Sequence, residues 1–160
     1  MSSEFRPDDS IYDRDAEGMM NGVRMVKEAL EKHGVRLGNR VITSRDPGMQ
    51  EAQAELKRAT SPTGVTQWLL PIVFCPREDE REILWFLSEL EPNAMVPTHR
   101  HRHAHFRVIV EGTIKYGDID LGVGDWLAVP AGVDYSFQAG PTRVRFFYPH
   151  PMPVCDWDED

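Results

Sequence analysis

Four of the six histidines in this 160-residue chain occupy alternate positions of one short run, THRHRHAHFRVIVEG. They are His99, His101, His103 and His105. Successive side chains of an extended strand point to opposite faces, so this spacing places the four imidazoles on one face and Arg100 and Arg102 on the other. Because imidazole is a common ligand of first-row transition metals, the run predicts a metal site. The alternative is a solvated edge strand that binds metal only by accident.

Glycine and proline residues follow the histidines at fixed separations. Together with the histidines and Tyr135, they form two sequence patterns. The first pattern reads His99-x-His101, three residues, His105, six residues and Gly112. After eleven more residues, the second reads Gly124, five residues, Pro130-x-Gly132, two residues and Tyr135. Glycine permits backbone conformations that residues with a Cβ resist. Together the patterns resemble the two signature motifs of the cupins, small antiparallel jelly-roll barrels that hold a metal ion at their open end.

The resemblance covers residues 82–149 and departs from the family at two ligand positions. The family has a glutamate where this chain has His105, and a histidine where it has Tyr135. The resemblance implies a mainly β fold, a cupin-type antiparallel jelly-roll barrel with an N-terminal helical extension. It also implies a divalent transition metal held by His99, His101 and His105. We expect iron(II) first, with manganese, nickel, copper and zinc as alternatives.

The change from glutamate to His105 leaves a neutral three-histidine set, so a bound divalent ion would keep its full charge. This favours an anionic substrate, such as an enolate, phenolate or thiolate, as the next ligand. Three protein ligands also leave coordination positions open, which is typical of catalytic metal sites. Tyr135 has three interpretations: a fourth ligand as phenolate, a hydrogen-bond donor or acid–base group toward substrate, or core packing in a cupin that has lost its metal.

Three further polar residues share the alternation of the histidines. His103 stands at the wrong place in the motif for a ligand, and we expect it to be a spare or supporting residue at the barrel mouth. Arg107 and Glu111 point into the barrel if no bulge intervenes, as an ion pair or as a clamp for a substrate carboxylate. A bulge after His105 would instead turn both to solvent. We assign a catalytic role to Tyr135 and Arg107, and a supporting role to His103 and Glu111.

The periodicity of apolar residues changes along the chain. Residues 1–62 are expected to form the N-terminal helical extension, residues 63–150 the cupin β-barrel and residues 151–160 an acidic tail. In the β region, short apolar runs are separated by Pro-, Gly- and Asp-containing breaks. The predicted strands are Val65–Cys75, Ile83–Leu90, Pro97–Glu111, Thr113–Tyr116, Trp126–Val129, Tyr135–Gln138 and Val144–Tyr148.

Two helices are predicted in the N-terminal region. Apolar residues recur at helical spacing over Asp15–His33, and Gly34 is a plausible stop. A second helix is predicted from Asp46 and Pro47, an N-cap residue followed by proline at the first helical position, to the residue before Ser61. We expect both apolar stripes to be packing surfaces. The remaining histidines, His33 and His150, are expected at the surface.

Composition limits the class of partner. The 18 basic and 26 acidic residues give a net charge of −8, which argues against nucleic acid as the main partner. No apolar run approaches the roughly 18 residues of a membrane span, and the first residues have no apolar signal core. Two cysteines are too few to suggest a disulfide framework. We therefore expect a cytoplasmic protein with a small-molecule substrate, and a homodimer because cupins commonly pair through their sheets.

The resemblance also implies a function. Small cupins with neutral three-histidine sites include dioxygenases that cleave β-diketones or hydroxyaryl ketones, and thiol dioxygenases. The first hypothesis is therefore a metal-dependent enzyme, a non-haem iron(II) dioxygenase that acts on a small enolisable or phenolic substrate. Metal-dependent isomerase or lyase chemistry fits the same residues. The hypothesis from another class is a non-catalytic cupin that binds a small molecule or regulates a partner.

Overall fold

The computed structural model describes residues 7–61, 64–74 and 82–150. Within these ranges, a 3-10 turn at Ser10–Tyr12 precedes helices α1 (Asn21–Lys32) and α2 (Met49–Glu55). The strands are β1 Lys57–Ser61, β2 Val65–Phe74, β3 Ile83–Leu90, β4 Met95–His99, β5 His105–Glu111, β6 Ile114–Tyr116, β7 Ile119–Leu121, β8 Trp126–Val129, β9 Tyr135–Ala139 and β10 Val144–His150. None of the described helices is long and apolar enough to span a membrane. The predicted tail, residues 151–160, lies outside the described ranges.

Helix α1 forms where the apolar spacing predicts it, but it begins later. Val23 and Val26 are fully buried, and α1 packs against β2. Gly34 follows the helix with a φ of +66°, so the predicted stop is confirmed. The helix begins at Asn21 rather than at Asp15, because the Asp15 carboxylate accepts hydrogen bonds from the backbone N–H groups of Glu17 and Met19. Those bonds hold residues 15–19 in a turn.

The second predicted helix is present but shorter than predicted. It begins at Met49, after Gly48 with a φ of +80°, and it ends at Glu55. The predicted extension of this helix to the residue before Ser61 is wrong, because residues 57–61 form strand β1, which pairs antiparallel with β2. The backbone groups of a sheet edge need partners, and β1 supplies them to β2.

The β region consists of two antiparallel sheets that face each other in a jelly-roll. The six-stranded sheet has the order β1-β2-β3-β10-β5-β8, and the four-stranded sheet has the order β4-β9-β6-β7. Phe137 of the smaller sheet and Phe146 of the larger one meet edge to face across the core, with ring centroids 5.9 Å apart. The mainly β fold with helices before it is therefore confirmed. In the described residues, strand pairing does not join the sheets into a continuous ring.

The predicted strand over residues 97–111 is wrong as a single element. It is two strands in different sheets: β4 ends at His99 and pairs with β9, whereas β5 begins at His105 and pairs with β10 and β8. Residues 100–104 form the connection that crosses from one sheet to the other. His101 and His103 lie in this connection, so the four imidazoles do not share one strand face. The strands β1 and β7 were not predicted.

A bulge in β5 separates the two charged residues that were expected to point inward. Arg145 is opposite Glu111 but Phe146 is opposite Ile109, so β5 carries one extra residue between these pairs. Arg107 lies before the bulge and is buried. Glu111 lies after it, partly exposed, and accepts hydrogen bonds from Arg143 at 3.0 and 3.1 Å. Of the two predicted orientations, Arg107 therefore has the inward one, and Glu111 has the outward one that a bulge was expected to produce.

Candidate metal and substrate site

The β4–β5 connection brings the three predicted metal ligands together. The ring centroids of His99 and His101 lie 5.0 Å apart, and those of His101 and His105 lie 4.8 Å apart. His99 and His105 are buried, at 7% and 3% exposure. We call these three residues, with His103 and His150, the histidine cluster. The three imidazoles converge because His99 ends β4, His105 begins β5 and His101 lies in the connection between the sheets.

Hydrogen bonds at Nδ1 fix two of these rings. The Nδ1 atom of His99 lies 2.7 Å from the carbonyl oxygen of Pro97, which only accepts, so this nitrogen carries the proton. The Nδ1 atom of His101 lies 3.2 Å from a carboxylate oxygen of Asp9. Histidines that ligate metals usually donate their second N–H to such a carbonyl or carboxylate. Both rings are therefore held in the tautomer that leaves the Nε2 lone pair for another partner.

Tyr135 is the common partner of the buried groups. Its hydroxyl oxygen lies 2.7 Å from Nη2 of Arg107, 2.9 Å from Nε2 of His99 and 3.1 Å from Nε2 of His105. The guanidinium donates to the hydroxyl, and the hydroxyl donates to His99, since the proton of His99 is on Nδ1. Burial raises the pKa of Tyr135 to about 12, so its side chain is a neutral phenol.

Arg107 is a buried cation enclosed by aromatic rings. Only 8% of the residue is exposed. The guanidinium carbon lies 4.7–5.7 Å from the ring centroids of Tyr148, Phe146, Tyr135 and Phe137. Its Nε atom is buried and has no hydrogen-bond partner among the described residues. Ring faces compensate a buried cation only in part, at about 0.5–2 kcal/mol per contact, so this charge favours an anion beside it.

The imidazoles at the centre of the cluster are neutral. Burial lowers the pKa of His99 to about 4. Burial also lowers the pKa of His105 far below its usual range, and the Arg107 cation adds to that effect. The pKa of His150 is lowered for the same first reason, burial. Metals bind the unprotonated ring, so these residues are in the form that an ion requires.

His150 belongs to the cluster although it was expected at the surface. It is 1% exposed, and its ring centroid lies 5.6 Å from that of His105 and 5.7 Å from that of His101. Its Nδ1 atom is hydrogen-bonded to the Tyr12 hydroxyl. The surface expectation was wrong because Pro149 suggested that the strand ended at Tyr148. The strand continues by two residues, and the alternation of buried residues in β10 was the signal that locates His150.

A segment from the N-terminal region, residues 8–13, covers the cluster. Besides the contact of Asp9 with His101, the Asp9 carbonyl accepts a hydrogen bond from Arg102 at 3.3 Å, and the Asp13 carboxylate pairs with Arg102 at 2.6 Å. His103 lies at the edge, with its ring centroid 5.9 Å from that of Tyr12 and 5.6 Å from that of His150. Glu111 is not brought to the cluster, because it pairs with Arg143.

The donors present fit a divalent ion in their chemistry. No three His, Cys, Asp or Glu side chains within residues 7–61, 64–74 and 82–150 have the geometry of a formed metal site. Rings that bind one ion at about 2.1 Å through nitrogen have centroids about 5 Å apart, and the two ring pairs of His99, His101 and His105 have this separation. To bind an ion, His99 would exchange its hydrogen bond with Tyr135 for the metal.

Comparison with known proteins finds a family match and several chains of similar fold. Residues 86–148 match a family model described as the cupin domain. The chain is similar to one in the structure of Rhodobacter sphaeroides SigE in complex with the anti-sigma ChrR (18% identity, TM-score 0.48, 75% of this chain and 53% of that one). It is also similar to AerE from Microcystis aeruginosa (17% identity, TM-score 0.50, 65% of this chain and 48% of that one). A further similar structure is that of the polyketide cyclase RemF from Streptomyces resistomycificus (23% identity, TM-score 0.44, 62% of this chain and 77% of that one).

These likenesses concern the fold alone, because the identities are below 25%. The chain spans about half the length of the ChrR-complex chain and of AerE. No curated protein matches the sequence. The function has to be argued from the side chains of the cluster.

Proposed function

The chain belongs to the cupin superfamily through residues 86–148, and from this premise we propose that it is a metal-dependent enzyme acting on a small anionic substrate. His99, His101 and His105 would hold the ion. The observation that carries the proposal is the convergence of these three rings, each within 5.0 Å of the next. The hydrogen bonds of His99 to Pro97 and of His101 to Asp9 support it, because they orient the rings for ligation.

A divalent ion in this position supplies a Lewis acid that stabilises an enolate or phenolate form of the substrate. Arg107 supports the choice of an anionic substrate, because its buried guanidinium forms no ion pair within the described residues and has a free Nε–H. A charge-assisted hydrogen bond from a guanidinium to an oxyanion is about twice as strong as a neutral one. Arg107 would therefore bind and orient the negative end of the substrate.

Tyr135 would act as a hydrogen-bonding group rather than as a metal ligand. Its pKa of about 12 opposes the phenolate form, and its hydroxyl already lies within 2.7–3.1 Å of Arg107, His99 and His105. Once His99 binds the ion, the Tyr135 hydroxyl can pass its proton to a substrate oxygen, and the Arg107 guanidinium would stabilise the phenolate that remains. Tyr135 would thus place and protonate the substrate.

The finer proposal is that of a non-haem iron(II) dioxygenase acting on an enolisable or phenolic substrate. Three neutral imidazoles leave the charge of the ion uncompensated and its other positions open, which suits an anionic substrate and a second small reactant. A metal-dependent isomerase or lyase is the second candidate. It is favoured by Tyr135 and Arg107, because the phenol can give its proton to an enolate and the guanidinium would stabilise the phenolate, without any oxidant.

The first experiment measures metal content. Purified wild-type protein, His101→Ala and the control His33→Ala are analysed for bound iron, manganese, nickel, copper and zinc. His33 pairs with Glu55 at 2.9 Å, away from the cluster, so its replacement should leave metal content unchanged. We expect close to one equivalent of metal in the wild type and in the control, and little in His101→Ala. A wild type that takes up no metal would contradict the enzyme proposal and favour a binding or regulatory cupin.

The second experiment separates the reaction classes. Iron-loaded protein is given β-diketones, hydroxyaryl ketones and thiols while dissolved oxygen and substrate are both followed. Consumption of oxygen with the substrate supports the dioxygenase. Consumption of substrate without oxygen supports the isomerase or lyase, and His101→Ala should abolish either reaction.

A further inference from the structure

We propose that His150 is a ligand of the same ion and replaces the histidine that the second cupin motif lacks. This inference rests on the proposed metal-dependent function. The family pattern has a histidine three residues after Pro130-x-Gly132, but this chain has Tyr135 there. The Tyr135 hydroxyl is already hydrogen-bonded to Arg107 and His99, so it is a poor substitute for an imidazole.

The first observation for His150 is a buried nitrogen without a partner. The residue is 1% exposed, and its Nε2 atom has no hydrogen-bond partner among the described residues. A buried polar atom without a partner is costly, and such atoms are rare in folded proteins. A metal ion would satisfy this nitrogen.

The second observation is the position of the ring. His150 ends β10, and β10 lies beside β5, which begins with His105. The ring centroid of His150 is 5.6 Å from that of His105 and 5.7 Å from that of His101. These separations are within 1 Å of those between the motif histidines. His101, His105 and His150 are therefore near neighbours, as three ligands of one ion must be.

The third observation is the hydrogen bond that holds His150 from its other side. The Tyr12 hydroxyl is hydrogen-bonded to Nδ1, and its oxygen can accept a hydrogen bond from an Nδ1–H group. When Nδ1 donates, Nε2 keeps its lone pair for a metal. Asp9 holds Nδ1 of His101 from the same segment. The N-terminal segment therefore holds two rings of the cluster.

Cobalt(II) is a suitable probe because its visible absorption bands depend on the number and type of ligands. Full-length protein is freed of metal with a chelator and titrated with Co²⁺ in four forms: wild type, His150→Gln, His101→Ala and the control His33→Gln. We expect His150→Gln to bind Co²⁺ about 10- to 100-fold more weakly, the loss already typical when a hydrogen-bond partner of a ligand is removed. Its cobalt bands should also shift, whereas the control should match the wild type.

The outcomes separate this inference from the proposed function. If His101→Ala loses binding but His150→Gln keeps the wild-type affinity and spectrum, the inference is overturned and the metal site stands. If the wild type binds no Co²⁺, both fall. If His150→Gln does not fold, ¹⁵N spectra of the wild type with and without Zn²⁺ decide. A change of the assigned His150 Nε2 resonance to that of a metal-bound nitrogen supports the inference, and an unchanged resonance overturns it.

Discussion

Two walls meet at the histidine cluster, and they differ in origin and in task. The motif wall consists of residues 99–107 with Tyr135, and the terminal wall consists of residues 8–13 with His150. The motif wall supplies imidazoles, a phenol and a buried cation. Except for His150, the terminal wall supplies partners: the Asp9 carboxylate for His101 and the Tyr12 hydroxyl for His150. Groups that would contact a reactant are thus concentrated in one wall, and groups that orient them in the other.

The contacts of Arg107 and Tyr135 differ in solvent exposure from the ion pair of Asp13 and Arg102, and this sets the size of the effects expected from mutation. Arg107 and Tyr135 are almost fully buried, so a hydrogen bond lost there leaves polar atoms without water. Asp13 and Arg102 of the terminal contact are about half exposed, so their ion pair is screened. Substitutions in the motif wall should therefore have the larger effects.

The largest effect is expected from Arg107→Met in the motif wall. The variant should bind benzoate, an aromatic carboxylate, about 100-fold more weakly, because a charged hydrogen bond to the anion is lost. Its free energy of unfolding should change little, because the lost hydrogen bond to Tyr135 is offset by the removal of a buried cation that forms no ion pair among the described residues. Calorimetric titration and urea unfolding measure the two quantities.

The matched control for Arg107→Met is Arg143→Met, which removes an exposed guanidinium that pairs with Glu111. It should leave benzoate binding unchanged. Equal affinity in Arg107→Met and in the wild type would show that the buried cation does not face the ligand, and the division of tasks between the walls would fail.

The second prediction concerns pH and the metal-free protein. The unfolded chain has histidines with a pKa of about 6.5, whereas the pKa of His99 in the native protein is about 4. Between these values the unfolded state binds a proton that the native state does not, so the free energy of unfolding falls as pH is lowered. The slope is about 1 kcal/mol per pH unit for each such histidine.

Urea unfolding at pH 7.5 and pH 5.5 measures this loss of stability. His105 and His150 should add to it, because burial lowers their pKa values as well. His99→Gln should reduce the dependence on pH, and His33→Gln should leave it as it is. A stability that does not change between the two pH values would mean that the rings are open to water in both walls.

The residues of the motif wall could be predicted from the sequence, whereas those of the terminal wall were not predicted. His99, His101 and His105 were identified by spacing, because a cupin motif records which residues meet at the end of the barrel. The stated geometry was nevertheless wrong. A single strand with one imidazole face was expected, whereas the chain leaves β4 after His99 and enters the other sheet at His105.

No local sequence pattern predicts the contacts of the terminal wall. Asp9 lies 92 positions from His101, and Tyr12 lies 138 positions from His150. Such contacts depend on how the N-terminal segment packs on the sheets, and single-residue spacing does not record that. The burial of His150 could have been predicted, because it continues the alternation of Phe146 and Tyr148. It was not, because Pro149 suggested the end of the strand.

The third prediction tests whether the terminal wall orients its imidazoles. Asp9→Asn should weaken the binding of Co²⁺ about 10-fold, in line with the loss of a carboxylate partner of a ligating histidine. Asp13→Asn is the matched control, because it changes a carboxylate of the same segment that pairs with Arg102 and not with the cluster. Equal affinity in Asp9→Asn and Asp13→Asn would mean that the segment only covers the site.

The smallest effect is expected from Glu111→Gln, at the far end of the strand that carries Arg107. Both residues share the alternation of His105, but the bulge turns Glu111 outward to Arg143. The exposed pair should contribute about 0–1 kcal/mol to the free energy of unfolding, and benzoate and Co²⁺ binding should not change. A clear loss of either ligand in this variant would place Glu111 inside the barrel, which would require β5 to run without its bulge and would move Arg107 relative to the aromatic rings around it.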